Sequence, residues 1–186
     1  MPGETSRRRD VYRRPVQHPA QHPDPPPPVI RPVRPDELTL LPGLEAAADT
    51  LFEPLGIGPL PGPGTPEEFA RALVVLVAGD PPVGLCRIDG IDTGAHLEQL
   101  SVHPEHAGRG IGRSLLRAGC DWAKAHDYDE ITLATYRDVP WNGPFYTSEG
   151  FVEVGPADDF LRAHGLPPED PVMGRFGARI LMVRSL

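Results

Sequence analysis

Between residues 95 and 126 the chain passes from an alternating apolar stretch, AHLEQLSVH, through PEHAGRGIG into an amphipathic stretch, RSLLRAGCDWAKAH. Three glycines, Gly108, Gly110 and Gly112, mark the hand-over. The first stretch predicts a strand over 95–103. The second predicts a helix from about Gly110 to His126, with Ile111, Leu115, Gly119 and Trp122 spaced by threes and fours into one buried stripe. EITLATYR (130–137) then reads as the strand that returns to the sheet. A strand–helix–strand crossover commits the chain to an α/β sheet. Around it, VIRPVRP (29–35) predicts a first strand, and residues 36–56 carry apolar side chains at helical spacing, interrupted at Pro42 and Gly43. Thr65 before Pro66-Glu67-Glu68 predicts the cap of a short helix. Residues 73–89 read as a hairpin around GDPP, NGPFYTSEG (142–150) holds a short helix, and FVEV and ARILMVRSL supply two closing strands.

A chain of 186 residues with 39% apolar composition suits one compact domain plus extras. The 25 prolines cluster at the N-terminus and around 54–66, so they mark segments and leave the rest able to form a core. Residues 1–28 have almost no large apolar side chains and are expected to be a disordered Pro/Arg-rich tail, with the folded domain over 29–186. PPPP at 25–28 predicts a polyproline II spacer or a docking motif. A net charge of -8 argues against a dedicated nucleic-acid binder. No stretch approaches the ~18 apolar residues of a membrane span. SRRRDVY resembles the start of a twin-arginine export signal, but no apolar segment follows, so a soluble cytoplasmic protein is expected. Lys124 is the single lysine, a bias that points to a GC-rich bacterial genome. Cys86 and Cys120 both lie in apolar stretches and read as small core residues. His103 and His106 lack a third and fourth ligand nearby, so no metal site is expected.

A helix N-terminus leaves its first amide N–H groups unpaired and carries about half a positive charge, so it attracts anions. Glycines there remove the Cβ atoms that would hold a phosphate oxygen away. The same spacing also fits a tight turn with no ligand. Two familiar phosphate loops fail on residues: a Walker loop needs glycine and lysine where Ala107 and Arg113 stand, and a dinucleotide fingerprint needs glycine at Arg113.

LEQLSVHPEHAGRGIGRSLL resembles the acetyl-CoA-binding motif of GNAT N-acetyltransferases, a strand L-x-V-x-P followed by [QR]-x-x-G-x-[GA] and a helix. WNGPFYTSEGF (141–151) resembles that family's second signature, an Asn and then a Tyr five residues before the Phe of a Gly-Phe pair. The resemblance spans roughly 29–186 and departs at Ala107, where the family usually has Gln or Arg. It implies a GNAT-type mixed, mostly antiparallel sheet flanked by helices, and transfer of an acetyl or larger acyl group from acetyl-CoA to a primary amine in a ternary complex. It also implies backbone contacts to the pyrophosphate from Ala107, Gly108, Arg109, Gly110 and Gly112, with Ile111, Arg113 and Ser114 as further cofactor-binding residues, and pairing of the pantetheine arm with the strand edge at Leu100, Ser101 and Val102. The Val102 amide would then serve the oxyanion.

Side-chain roles follow the same resemblance, each beside a plainer reading. Tyr146 matches the general acid, or is a core aromatic. Asn142 holds the cofactor arm, or caps the short helix. Arg109 and Arg113 add charge to the phosphates, or are solvated. Glu98 is the candidate base, acting through water, or an ordinary salt-bridged glutamate; strand alternation puts it on the face of Leu100 and Val102 unless a bulge intervenes. Some relatives carry a carboxylate at the position of Ala134, which shifts weight to Glu98. Glu45, Asp49, Glu53, Glu67 and Glu68 would draw a cationic acceptor, or form a solvated acidic face. A homodimer through the closing strands fits the family. The competing readings are a CoA-binding sensor or scaffold without catalysis, and a protein-interaction adaptor without cofactor.

Overall fold

The computed structural model describes residues 29–57, 60–163 and 179–186. The expected tail, 1–28, lies outside them. Seven strands form one sheet in the order β1-β2-β3-β4-β5-β7-β6, where β1 is Ile30–Pro32, β2 Val74–Ala78, β3 Gly84–Ile91, β4 Gly94–Val102, β5 Glu130–Tyr136, β6 Val152–Pro156 and β7 Arg179–Ser185. Every neighbouring pair is antiparallel except β4 and β5, which the crossover joins in parallel. The expected mixed sheet is therefore present. The closing strands are antiparallel neighbours, but β7 inserts between β5 and β6.

The sheet separates two apolar layers. On one face helix α1 (Leu41–Asp49) and helix α2 (Pro66–Arg71) bring Leu41, Leu44 and Phe69 onto Val75, Val77 and Leu85. On the other, helix α3 (Ile111–Ala125) lays Ile111, Leu115, Leu116, Cys120 and Ala123 over Leu76, Cys86, Ile88, Leu97, Ile131 and Leu133. Removal of a side chain such as Leu115 from this layer typically costs ~2–5 kcal/mol. Trp122, expected in the stripe, lies half-buried at its edge and stacks on His126 at 4.1 Å. Both cysteines are buried. A Cβ on Gly119 would meet Cys86 Sγ at 2.9 Å and one on Gly84 would meet Leu115 Cδ1 at 2.9 Å, so these two glycines let α3 sit close against β3.

Local chemistry accounts for most boundaries. Thr65 caps α2 as its sequence predicts: its hydroxyl accepts from the Glu68 N–H at 3.2 Å and the Glu68 carboxylate accepts from the Thr65 N–H at 2.7 Å. Pro42 and Gly43 start α1 instead of breaking a longer helix, with 3-10 turns at Pro35–Leu40 and Thr50–Leu55 on either side. Helix α4 (Gly143–Ser148) is the expected short helix, and helix α5 (Ala157–Ala163) follows β6 without a counterpart in the sequence reading. Among the described residues no helix is long and apolar enough to cross a membrane.

A buried carboxylate shared by two arginines, Arg31 and Arg34, ties the first strand to the 3-10 turn that follows it. Arg31 of β1 donates both guanidinium arms to Glu37, each at 2.7 Å, and Glu37 is 3% exposed. The Arg31 hydrogen bonds hold the Glu37 carboxyl down at about 2 against its ordinary 4.5. A depressed carboxyl contributes stability that is whole above its unfolded pKa and is lost as pH falls from there towards 2. Glu37→Gln is therefore expected to lower the thermal midpoint at pH 7, and the gap from the wild type should close progressively below pH ~4.5. Calorimetric melts across that range measure it; a gap independent of pH would contradict the assignment.

Candidate active site

The parallel ladder between β4 and β5 is short: Ala95 pairs with Ile131, His96 with Thr132 and Leu97 with Leu133. Beyond Leu97 the two strands part. At the same place the register of β4 against β3 shifts, with Arg87 opposite Gln99 but Ile88 opposite Leu97, so Glu98 is the extra residue of a bulge. The bulge reverses the alternation. Ala95 and Leu97 belong to the α3-side layer before it, and Leu100 and Val102 pack on that same layer after it. Glu98 is thereby taken off the face of Leu100 and Val102 and turned to the α1 side, where its carboxylate lies 3.8 Å from His96 Nε2.

The bulge also decides where the peptide groups of β4 point. His103 N–H donates to the Val83 carbonyl at 2.9 Å, so in an alternating antiparallel ladder Ser101 bonds to Leu85 and the N–H groups of Leu100 and Val102 face away from β3. They face the gap that β5 has left. The Ser101 side chain is buried on the other face and accepts a hydrogen bond from Gln99 at 2.9 Å.

Across the gap stands the glycine turn. Gly108 and Gly110 have φ of +74° and +76°, and a Cβ on either would meet nothing within 4 Å, so glycine is required there by backbone conformation. Gly112 differs. It sits in the first turn of α3 with no positive φ, and a Cβ would touch only Val102 Cγ2 at an ordinary 3.6 Å. Among the described residues nothing demands glycine at 112. Gly110 caps α3 without a side-chain bond, and the first helical N–H that closes a turn is that of Ser114, onto the Gly110 carbonyl at 3.0 Å. The amides of Ile111, Gly112 and Arg113 are thus left unpaired within the helix. Ala107 is already committed, since its N–H donates to the Pro104 carbonyl at 3.1 Å. The Ser114 hydroxyl donates to the Gly110 carbonyl at 3.2 Å. Arg109 turns its guanidinium back to the Glu105 carbonyl at 3.1 Å, whereas Arg113 lines the cleft and is paired to Glu149.

Gap and turn open into one cleft of about 920 Å³. Tyr146 and Asn142 reach it from the α4 side. The Tyr146 ring packs edge-on against Phe145 and Phe151 at 5.1 and 5.7 Å, and burial pushes its phenol well above the ordinary tyrosine range, so it stays protonated. Asn142 precedes α4 without a side-chain cap bond. Gly143 is forced by packing, because a Cβ would run into the Arg137 carbonyl.

The far end of the cleft is acidic. Glu45, Asp49, Glu68, Asp89 and Glu98 line it, while Glu53 and Glu67 do not. Burial raises the carboxyl of Glu45, where the Gly64 N–H at 3.1 Å opposes it, and pushes that of Asp49 up to about 6. Partial burial also raises Glu98; Asp89 adds to this and Arg87 opposes it. Arg87 is itself held by Asp89 at 2.6 Å, so it cancels little of the remaining acidity. Asp89 and the Arg87 pairing are absent from the sequence reading, because only the sheet brings β3 beside α1. Phe52 and Trp141, 5.8 Å apart, form an aromatic wall that the sequence reading also lacks.

The model of the acetyltransferase (GNAT) family matches residues 48–151, more than half of the chain. The chain belongs to the GNAT acetyltransferase family. Solved structures share the GNAT fold at low identity. A GCN5-related N-acetyltransferase from Rhodopseudomonas palustris is 22% identical, with 86% of this chain and 96% of that one covered at a TM-score of 0.61. The PaiA N-acetyltransferase of Thermoplasma acidophilum, solved with coenzyme A, is 18% identical, with 85% and 98% covered at 0.62. The ribosomal-protein-S18-alanine N-acetyltransferase of Escherichia coli is 18% identical, with 84% and 92% covered at 0.58.

The contrast among the glycines is measurable without ligand. Gly110→Ala should cost about 1–2 kcal/mol in urea denaturation, the strain of a left-handed L-residue. Gly112→Ala should leave stability unchanged or raise it by up to ~1 kcal/mol through helix propensity.

Proposed function

We propose that this GNAT protein transfers an acetyl group from acetyl-CoA to a primary amine by direct attack in a ternary complex. Gly112 carries the reading: a glycine that the chain's own packing does not need stands among unpaired amides facing an opened strand. Such a residue is explained by a ligand that approaches the backbone closely. The fit to a diphosphate is good on the N–H groups from Gly108 to Arg113, while Ala107 and the Arg109 side chain are engaged elsewhere. The outward peptide groups of Leu100 and Val102 suit an arm that carries amides of its own, as pantetheine does. Asn142, with no capping bond, is assigned to the same arm.

Acetyl-CoA supplies the activated acyl group; the chain's residues manage protons and charge. Glu98, turned into the cleft by the bulge, takes the proton of the incoming ammonium through water. Its raised pKa makes it a stronger base once ionised and moves the acid limb of activity above the ordinary glutamate range. The Val102 N–H is the donor for the developing oxyanion. Tyr146, held protonated by burial, gives its proton to the departing thiolate. The acceptor is drawn as a cation by Glu45, Asp49 and Glu98. Tyr146 and Glu98 line one cleft, an observation that favours an enzyme over a catalytically silent CoA-binding sensor. A cytoplasmic bacterial protein, with residues 29–186 as the catalytic domain, completes the proposal.

Thiol release from acetyl-CoA with a panel of amines tests the activity. Tyr146→Phe is expected to lower turnover by about 10²-fold or more while CoA affinity stays near normal. Undiminished turnover removes Tyr146 from the mechanism. In calorimetry, Gly110→Asp should abolish CoA binding by aiming a carboxylate at the diphosphate; binding that persists would show that the cradle lies elsewhere.

A further inference from the structure

Helix α4 spans only six residues, too few to hold its place by propensity. Its position is set by what its ends touch. At the C-terminal end the Glu149 side chain, 3% exposed, accepts from Arg113 Nε at 2.5 Å, from Arg117 Nε at 2.8 Å and from a second Arg117 nitrogen at 3.4 Å. Both arginines belong to the first two turns of α3. The backbone completes the link, since the N–H groups of Glu149 and Phe151 both donate to the Tyr146 carbonyl, at 3.0 and 3.1 Å. A displacement of Glu149 is therefore a displacement of Tyr146.

The charge count adds a second consequence. One carboxylate answers two guanidiniums, which leaves the cluster with a surplus positive charge, and Arg113 is the member that lines the cleft. We infer that Glu149 is a positioning residue: it fixes the Tyr146 helix against the start of α3, and by holding Arg113 it limits the charge that this arginine offers to a bound diphosphate. The inference rests on the acetyl-CoA reading above. Arg113 and Arg117 are 49% and 62% exposed, so water can solvate them if the carboxylate is lost, and no buried cation is stranded.

The role has a fingerprint of opposite signs. Glu149→Gln loosens α4 and lowers kcat about tenfold, a modest loss for a displaced catalytic group. The same variant frees Arg113 and tightens CoA binding about threefold at low salt, the order expected for one charge-assisted contact. The double variant Arg113→Gln/Glu149→Gln loses that gain. A merely structural ion pair would instead lower turnover, CoA affinity and melting temperature together, and that outcome overturns the inference, as does an unchanged kcat in a panel amine that turns over. If Glu149→Gln does not fold, Arg113→Gln alone decides: weaker CoA binding by about threefold supports the shared guanidinium, and unaltered binding overturns it. Calorimetry with CoA on the wild-type chain separates the two levels. A wild type that binds no CoA brings down the acetyl-CoA reading and this inference with it; one that binds while the variants do not move brings down the inference alone.

Discussion

The parting of β4 from β5 is the constraint on which the rest depends. Backbone N–H and C=O groups buried in a sheet are costly to leave unpaired, and a parallel pair in mid-sheet would ordinarily zip to its end. Here it stops after three residue pairs. The bulge at Glu98 kinks β4 away and puts Glu98 on the α1 face, yet returns Leu100 and Val102 to the α3-side core. One inserted residue thus opens a slot lined by peptide groups and places a carboxylate beside it. The slot is a strand edge in the interior of a sheet, and an extended arm with amides of its own is its natural complement.

Signals that are local in the chain were legible in the sequence. The strand, the glycine turn and the helix follow from periodicity, and Thr65 announces its cap through Glu68 three residues on. Paired motifs around Gly110 and Tyr146 carry the family. Legibility ended where pairing partners are distant. Alternation alone put Glu98 on the wrong face, because a bulge is defined by what lies opposite it on β3. The insertion of β7 between β5 and β6 cannot be taken from chain order, although the unbroken apolar run at 180–183 suits an interior strand and the short, exposed VEVGP of β6 suits an edge. The three glycines look alike in sequence, and only φ and contact distances divide them into two that serve the backbone and one that does not.

The electrostatics of the cleft are graded along its length. At the α3 end the unpaired amides and the surplus charge of Arg113 and Arg117 over Glu149 make a positive field. At the α1 end Glu45, Asp49, Glu68 and Glu98 outnumber the lining arginines, since Asp89 has claimed Arg87 and Arg179 is the other. Burial raises the carboxyls of Glu45, Asp49 and Glu98, which means that their ionised forms are poorly solvated and gain from a nearby cation. Such a cleft favours anionic groups at one end and cationic groups at the other. Tyr146 lines the same cleft as a neutral phenol, and burial pushes its pKa well above the ordinary tyrosine range. Packing against Phe145 and Phe151 partly withdraws the phenol from water, so the aromatic cluster that anchors Tyr146 beside the core also keeps it neutral.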